Sequence, residues 1–108
     1  MTSVEVSAIV TSEIGTDFSL TNLHGVDLRK CLVPPRQVTC RNTFPNLAGG
    51  KALEQWIVLE ETPGKRDGYL IVFDEERKVF GLAVWDQKGE TPVFIGFHGR
   101  FLDTLEGM

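Results

Sequence analysis

The sequence predicts a β-rich α+β domain: a mostly antiparallel meander sheet, with a partly closed barrel as one form of it, and a short C-terminal helix. Three or four apolar segments of strand length follow one another between Leu53 and Phe97. They are rich in Val, Ile, Phe and Trp, and polar turns separate them, which is typical of sequential antiparallel strands. After Gly99, apolar residues recur at helical spacing and predict the closing helix.

The chain has 108 residues, the length of one domain. We therefore expect a single domain over residues 1–108. It divides into an N-terminal hairpin region (1–50) and a region with the meander and the closing helix (51–108). A domain of about 100 residues buries roughly two-thirds of the surface of its unfolded chain, so a true core is expected.

Residues 4–11 alternate between two faces, with Val4, Val6, Ala8 and Val10 on one of them. This period of two predicts a half-buried strand, and a short helix is the alternative. A turn at residues 15–17 and a second short strand around Phe18 would complete a hairpin.

Residues 23–50 leave more than one interpretation open. Residues 27–33 suit either a short helix or a strand, and Pro34-Pro35 is expected to end whichever forms, because proline donates no backbone hydrogen bond. Residues 37–42 then read as a strand, and residues 43–50, with Pro45, Gly49 and Gly50, as a loop.

The C-terminal half is more regular. Strands are expected at 55–60, 69–73, 79–85 and 93–97, which brings the predicted total to six to eight. Both faces of the central strands are apolar, whereas an open antiparallel sheet leaves one face polar. The sheet is therefore expected to be closed on itself, packed as a sandwich, or covered by a second copy of the chain.

Charge and cysteine content narrow the class of protein. The formal net charge is −4, and an acidic chain with scattered basic residues argues against nucleic-acid binding. No segment approaches the ~20 apolar residues of a membrane helix, and the N-terminus does not resemble a signal peptide. Together with two cysteines, Cys31 and Cys40, that need not pair, this indicates a cytoplasmic protein of bacterial type.

Few residues suggest chemistry. His24 and His98 each precede a glycine and, with Cys31, are the candidates to line a ligand pocket. The Cys and His residues lack the close spacing of zinc ligands, so no metal, cofactor or catalytic residue is predicted. Tyr69 and Trp85 are aromatic candidates for ligand stacking.

Two pairs of adjacent carboxylates, Glu60-Glu61 and Glu75-Glu76, are expected to be solvated loop charges. They are the candidates for contact with a protein partner, because complementary charge speeds association.

The residue pattern favours a non-enzymatic protein–protein interaction domain, such as an inhibitor or immunity-type partner of a basic toxin enzyme. The alternative is a small-molecule-binding or enzymatic β-barrel with His24, His98 and Cys31 in a pocket. A homodimer is compatible with the first interpretation, since an open strand edge can pair across a two-fold axis.

Overall fold

The computed structural model describes residues 1–16, 20–22 and 24–108. It confirms the predicted fold class, because five strands follow one another as a meander and a short helix ends the chain. The helices are α1 (Ser3–Ile14), α2 (Leu28–Cys31) and α3 (Phe101–Glu106), with a 3-10 turn at Ala48–Gly50; the strands are β1 (Leu32–Asn42), β2 (Leu53–Glu60), β3 (Tyr69–Asp74), β4 (Val79–Trp85) and β5 (Pro92–Gly99).

Hydrogen bonds link the five strands into a ring. Each strand pairs antiparallel with the next one, and β1 pairs with β5 through Arg41 opposite Val93 and Asn42 opposite Phe94. This last pairing is parallel, because an odd number of alternating strands leaves the first and the last running the same way. The prediction of six to eight strands is wrong for the described residues, which form five, since residues 3–14 and 28–31 form helices instead.

Helix α1 replaces the strand that was expected at residues 4–11. Thr2 caps it: Glu5 N donates to Thr2 Oγ1 over 3.2 Å, and Thr2 N donates to Glu5 Oε1 over 3.0 Å. This capping box satisfies backbone donors at the helix start. Val6, Val10 and Ile14 are buried at a spacing of four residues, which places them on one helical face.

The expected N-terminal hairpin is also wrong. Its first strand is the helix α1, and the second was expected around Phe18, which lies outside the described residues; Thr21 forms an isolated bridge with Asp27. Asp27 caps α2, since its Oδ1 accepts a hydrogen bond from Arg29 N at 2.9 Å. Of the two interpretations of residues 27–33, the short helix therefore forms, and it leads directly into β1.

Pro34 and Pro35 lie inside β1, so the prediction that they end an element is wrong. Leu32 stands opposite Leu59 and Arg36 opposite Ile57, which leaves extra residues on β1 at the prolines. This irregularity is a bulge, and a bulge tolerates residues that cannot donate to the ladder.

The sheet buries both of its faces, as its apolar strands predict. An inner cluster fills the ring, and an outer cluster lies between the sheet and the helices α1 and α3. The inner cluster consists of Cys40, Leu53, Ile57, Leu70, Val72, Ala83, Trp85 and Phe94. Closure of the ring thus covers one face, and the helices cover the other, since Leu28 and Cys31 of α2 also belong to the outer cluster.

Within the part of the chain that the structure describes, there is no helix of the length and apolar character that a membrane crossing requires.

Candidate functional site

The short contact between β1 and β5 leaves part of each strand without a neighbour on that side. Residues 32–40 of β1 pair with β2 alone, and residues 95–99 of β5 pair with β4 alone. We call these stretches the β1 half-edge and the β5 half-edge. Unpaired strand edges offer backbone donors and acceptors to another chain, and proteins usually protect them.

The β1 half-edge carries such protection. It contains Pro34, Pro35 and the bulge beside them, and the exposed Arg36 projects from it. Helix α1 also reaches it, because Ser3 Oγ donates a hydrogen bond to Pro35 O over 2.6 Å. Prolines, charges and bulges are the features that discourage a further strand from adding to an edge.

The β5 half-edge is different, because β5 contains no Asp, Glu, Lys or Arg. Ile95 is 40% exposed. It is the extra residue of a bulge, since Ala83 pairs with Phe94 and Leu82 with Gly96. The bulges of β5 increase its twist, but the strand itself carries no charge at this edge; the guanidinium carbon of Arg77 lies 5.9 Å from the centre of the Phe97 ring.

An apolar groove of about 380 Å³ lies beside the β5 half-edge. We call it the β5 groove; its lining residues are Phe44, Asn46, Leu47, Phe94, Gly96 and Phe97. The rings of Phe44 and Phe94 meet edge to face with centroids 5.9 Å apart, and those of Phe94 and Phe97 are 4.6 Å apart. Phe44 is 39% exposed, so this aromatic surface is open to solvent.

Asn42 holds the loop that forms one wall of the groove. Its Nδ2 donates to Leu47 O over 2.8 Å and to Lys51 O over 3.0 Å, and its Oδ1 accepts from Phe44 N at 2.9 Å. Since these bonds form within the chain itself, the groove is preformed. A preformed site binds without the entropic cost of ordering a loop.

The three residues proposed for a ligand pocket do not line the β5 groove. His24 and His98 are exposed, whereas Cys31 is buried at the end of α2. The Cys31 thiol lies 3.6 Å from Glu61 O, and its pKa is raised, chiefly because burial disfavours the thiolate. Among the described residues, no group of three or more His, Cys, Asp or Glu side chains is placed to hold a metal ion.

The four candidate carboxylates do not form one acidic surface. Glu60 pairs across the sheet with Leu70 near the start of β3, whereas Glu75 and Glu76 follow the end of that strand. Glu60 is 5% exposed and pairs with Arg36 at 3.1 Å, so the expectation of a solvated loop charge is wrong for it.

Two of the other candidate carboxylates also have partners within the chain. Glu61 Oε1 accepts a hydrogen bond from Tyr69 N at 3.1 Å. Glu75 Oε1 lies 3.2 Å from the N-terminal ammonium group. The Glu76 side chain is 86% exposed and lies 3.7 Å from Arg77 Nη1. The candidate carboxylates are therefore engaged by groups of the same chain.

The two aromatic candidates face opposite sides of the sheet. Tyr69 stands opposite Val84 of β4 and is 40% exposed. Trp85, the residue after Val84, belongs to the inner cluster and is 9% exposed. Neighbouring residues of a strand point to opposite faces, so these rings cannot form a joint stacking platform. Trp85 instead forms part of a second concave region, between the loops that follow β2 and β4.

The sequence interpretation did not identify the β5 groove. Phe44 and Leu47 fell in a segment that was predicted simply as a loop. The available signal was the absence of charge from residues 91–99, a stretch long enough for an unprotected strand.

No protein-family model matches this sequence, and the searches of curated proteins and of solved structures gave no match.

Proposed function

We propose that this protein is a non-enzymatic protein-binding domain whose site is the β5 half-edge together with the β5 groove. The partner contributes an extended segment with apolar residues at alternate positions. Its backbone adds to the sheet beside residues 95–99, and its apolar side chains enter the groove. Such strand addition draws affinity from main-chain hydrogen bonds and specificity from pockets for alternate side chains.

The contrast between the two half-edges supports this proposal most strongly. Both half-edges contain bulges, but prolines and an arginine protect only the β1 half-edge, whereas the β5 half-edge carries no charged residue and exposes Ile95. An exposed edge without charge can pair with other chains and aggregate, so we expect a protein to keep one only where it serves a purpose. The adjoining aromatic groove supplies that purpose, because exposed apolar surface marks sites of interaction.

The groove that would bind the partner is apolar, so the proposed partner segment is neutral rather than basic. Phe44, Leu47, Phe94 and Phe97 offer apolar contacts, and Asn46 is the polar residue of the lining. Aromatic side chains of this kind dominate the energy of many protein interfaces. Partner recognition through the candidate carboxylates is less well supported, since most of them have partners within the chain.

The proposal can be tested by selection from a displayed library of random nine-residue peptides. The wild-type protein serves as bait, and the variants Ile95→Glu and Phe44→Glu serve for counter-selection. Both residues are partly exposed, so the fold should survive the substitutions. Val4→Glu is the matched control, because Val4 is an exposed apolar residue, 79% accessible, on α1.

We expect the selection to enrich peptides with apolar residues at alternate positions. They should bind the Val4→Glu protein as well as the wild type. Binding to the Ile95→Glu and Phe44→Glu proteins should weaken at least tenfold, which corresponds to a loss of about 1.4 kcal/mol. Enriched peptides that bind all variants equally, or a selection without any enrichment, would refute the proposal.

A further inference from the structure

We infer that the loops over residues 64–68 and 86–89 form a binding site for a small oxyanion of the phosphate class. They border an open concave region of about 730 Å³ that Val84 and Trp85 also line. This loop site has no lining residue in common with the β5 groove, so the inference is independent of the proposed function.

The charge of the loop site favours an anion. Lys65, Arg66 and Lys88 line it, together with the acidic residues Asp67 and Asp86. Asp86 is occupied within its own turn, because its Oδ1 accepts a hydrogen bond from Glu90 N at 2.9 Å. Three cations therefore face two carboxylates, one of them held in its own turn, so the lining is net positive in a protein whose net charge is −4.

The backbone of the first loop also presents donors. Arg66 adopts a left-handed conformation with φ of +50°, between Gly64 and Gly68 at +82° and +79°. Within the described residues, the N–H groups of Arg66, Asp67 and Gly68 donate to no acceptor of the chain. Consecutive N–H groups around a left-handed residue form concavities that bind anions.

Contacts between the loops fix the geometry of the site. Trp85 N donates a hydrogen bond to Gly68 O over 3.2 Å. The two loops also approach closely, since a Cβ added to Gly89 would lie 3.0 Å from Arg66 O. The Arg66 guanidinium carbon lies 5.5 Å from the centre of the Trp85 ring, which orients this side chain at the site.

The test is a titration of the protein with inorganic phosphate, followed by nuclear magnetic resonance of backbone amides at constant ionic strength. Chloride is the reference anion. We expect saturable shifts at the amides of residues 66–68 that give a single dissociation constant. Arg66→Asn removes the guanidinium while keeping a residue that tolerates the left-handed conformation.

Arg66→Asn should weaken phosphate binding about tenfold, the effect of losing one charge-assisted hydrogen bond. Lys88→Gln should weaken it too, whereas Lys30→Gln, at an exposed lysine outside the site, should leave it unchanged. Linear shifts that do not saturate, or equal affinity for all three variants, would overturn the inference. These readings do not involve the β5 groove, so the two proposals succeed or fail separately.

Discussion

Gln55 and Asp74 form a polar contact inside the ring, where Gln55 Nε2 donates to Asp74 Oδ2 over 3.2 Å. Both side chains are buried, at 1% and 2% exposure. Asp74 also holds the turn between β3 and β4, because it accepts from Arg77 N at 2.9 Å and from Arg77 Nη1 at 3.2 Å. Gln55 Oε1, in contrast, has no partner among the described residues.

These unequal roles predict different costs of substitution. Asp74→Ala should lower the free energy of unfolding by about 3 kcal/mol, because it strands a buried amide and frees the turn. Gln55→Met should change it by less than about 1 kcal/mol, since it also removes an acceptor that has no partner. Urea denaturation measures both values. If Gln55→Met lowered the free energy of unfolding as much as Asp74→Ala does, the unequal roles of the two residues would be contradicted.

Gly81 has no room for a side chain. A Cβ at this position would lie 2.5 Å from Gly96 O and 2.9 Å from Phe94 Cε1. Because backbone on β5 cannot yield as a flexible side chain would, Gly81→Ala should destabilise the fold by at least about 2 kcal/mol. Thermal unfolding checks this value, and an unchanged melting temperature would show that β4 and β5 are further apart.

The buried thiol of Cys40 should make the fold less stable in alkaline solution. Burial raises the pKa of its thiol from 9.0 to about 12, and the charges of Glu54 and Asp74 add to this rise. Between these pH values the unfolded chain ionises the thiol while the folded chain keeps it protonated. The neutral thiol therefore contributes its full stabilisation below pH 9, and this contribution decreases as the pH rises above 9.

Urea denaturation at pH 7.5 and pH 10 tests the role of Cys40. The fall in unfolding free energy between the two values should be smaller for Cys40→Ala than for the wild type. Because the two proteins differ only at residue 40, the difference between their falls isolates the thiol. An identical fall in both proteins would mean that Cys40 ionises freely in the folded state.

Glu13 connects α1 to α3, and this contact should be lost at acidic pH. Its Oε1 accepts from Phe101 N at 3.0 Å, and its Oε2 lies 3.2 Å from Arg100 Nη2. Desolvation raises the pKa of this carboxyl, but the hydrogen bonds from Phe101 and Arg100 outweigh it, and the net shift is downward from 4.5. The contact therefore persists above pH 4.5 and is lost as the pH falls through the lowered pKa.

The amide resonance of Phe101 should report this titration, with a midpoint below 4.5. Glu13→Gln should abolish the transition while the other amides keep their behaviour. A midpoint at or above 4.5 would contradict the contact between the two helices.

The sequence identified the local elements of the C-terminal half well, because their apolar runs and turns are short-range signals. It failed at α1, where Val4, Val6 and Val10 suit a strand and a helix alike. The Thr2 and Glu5 capping pair was the signal for the helix.

Other features depend on contacts that no local pattern contains. The ring closes through two residue pairs between strands that are distant in sequence. The burial of Glu60 follows a register shift between Ile57 and Leu59, after which Glu60 stands opposite Leu70 of the inner cluster. A shift of one residue exchanges the two faces of a strand, so alternation alone could not place this carboxylate.

Amide hydrogen exchange along β5 tests whether the β5 half-edge binds the partner segment. The protein is measured alone and with a peptide from the selection described above. We expect rapid exchange in the free protein at those amides of residues 95–99 that do not donate to β4, and slower exchange at the same amides once the peptide is bound. Strong protection of these amides in the free protein, or protection by the peptide elsewhere alone, would contradict it.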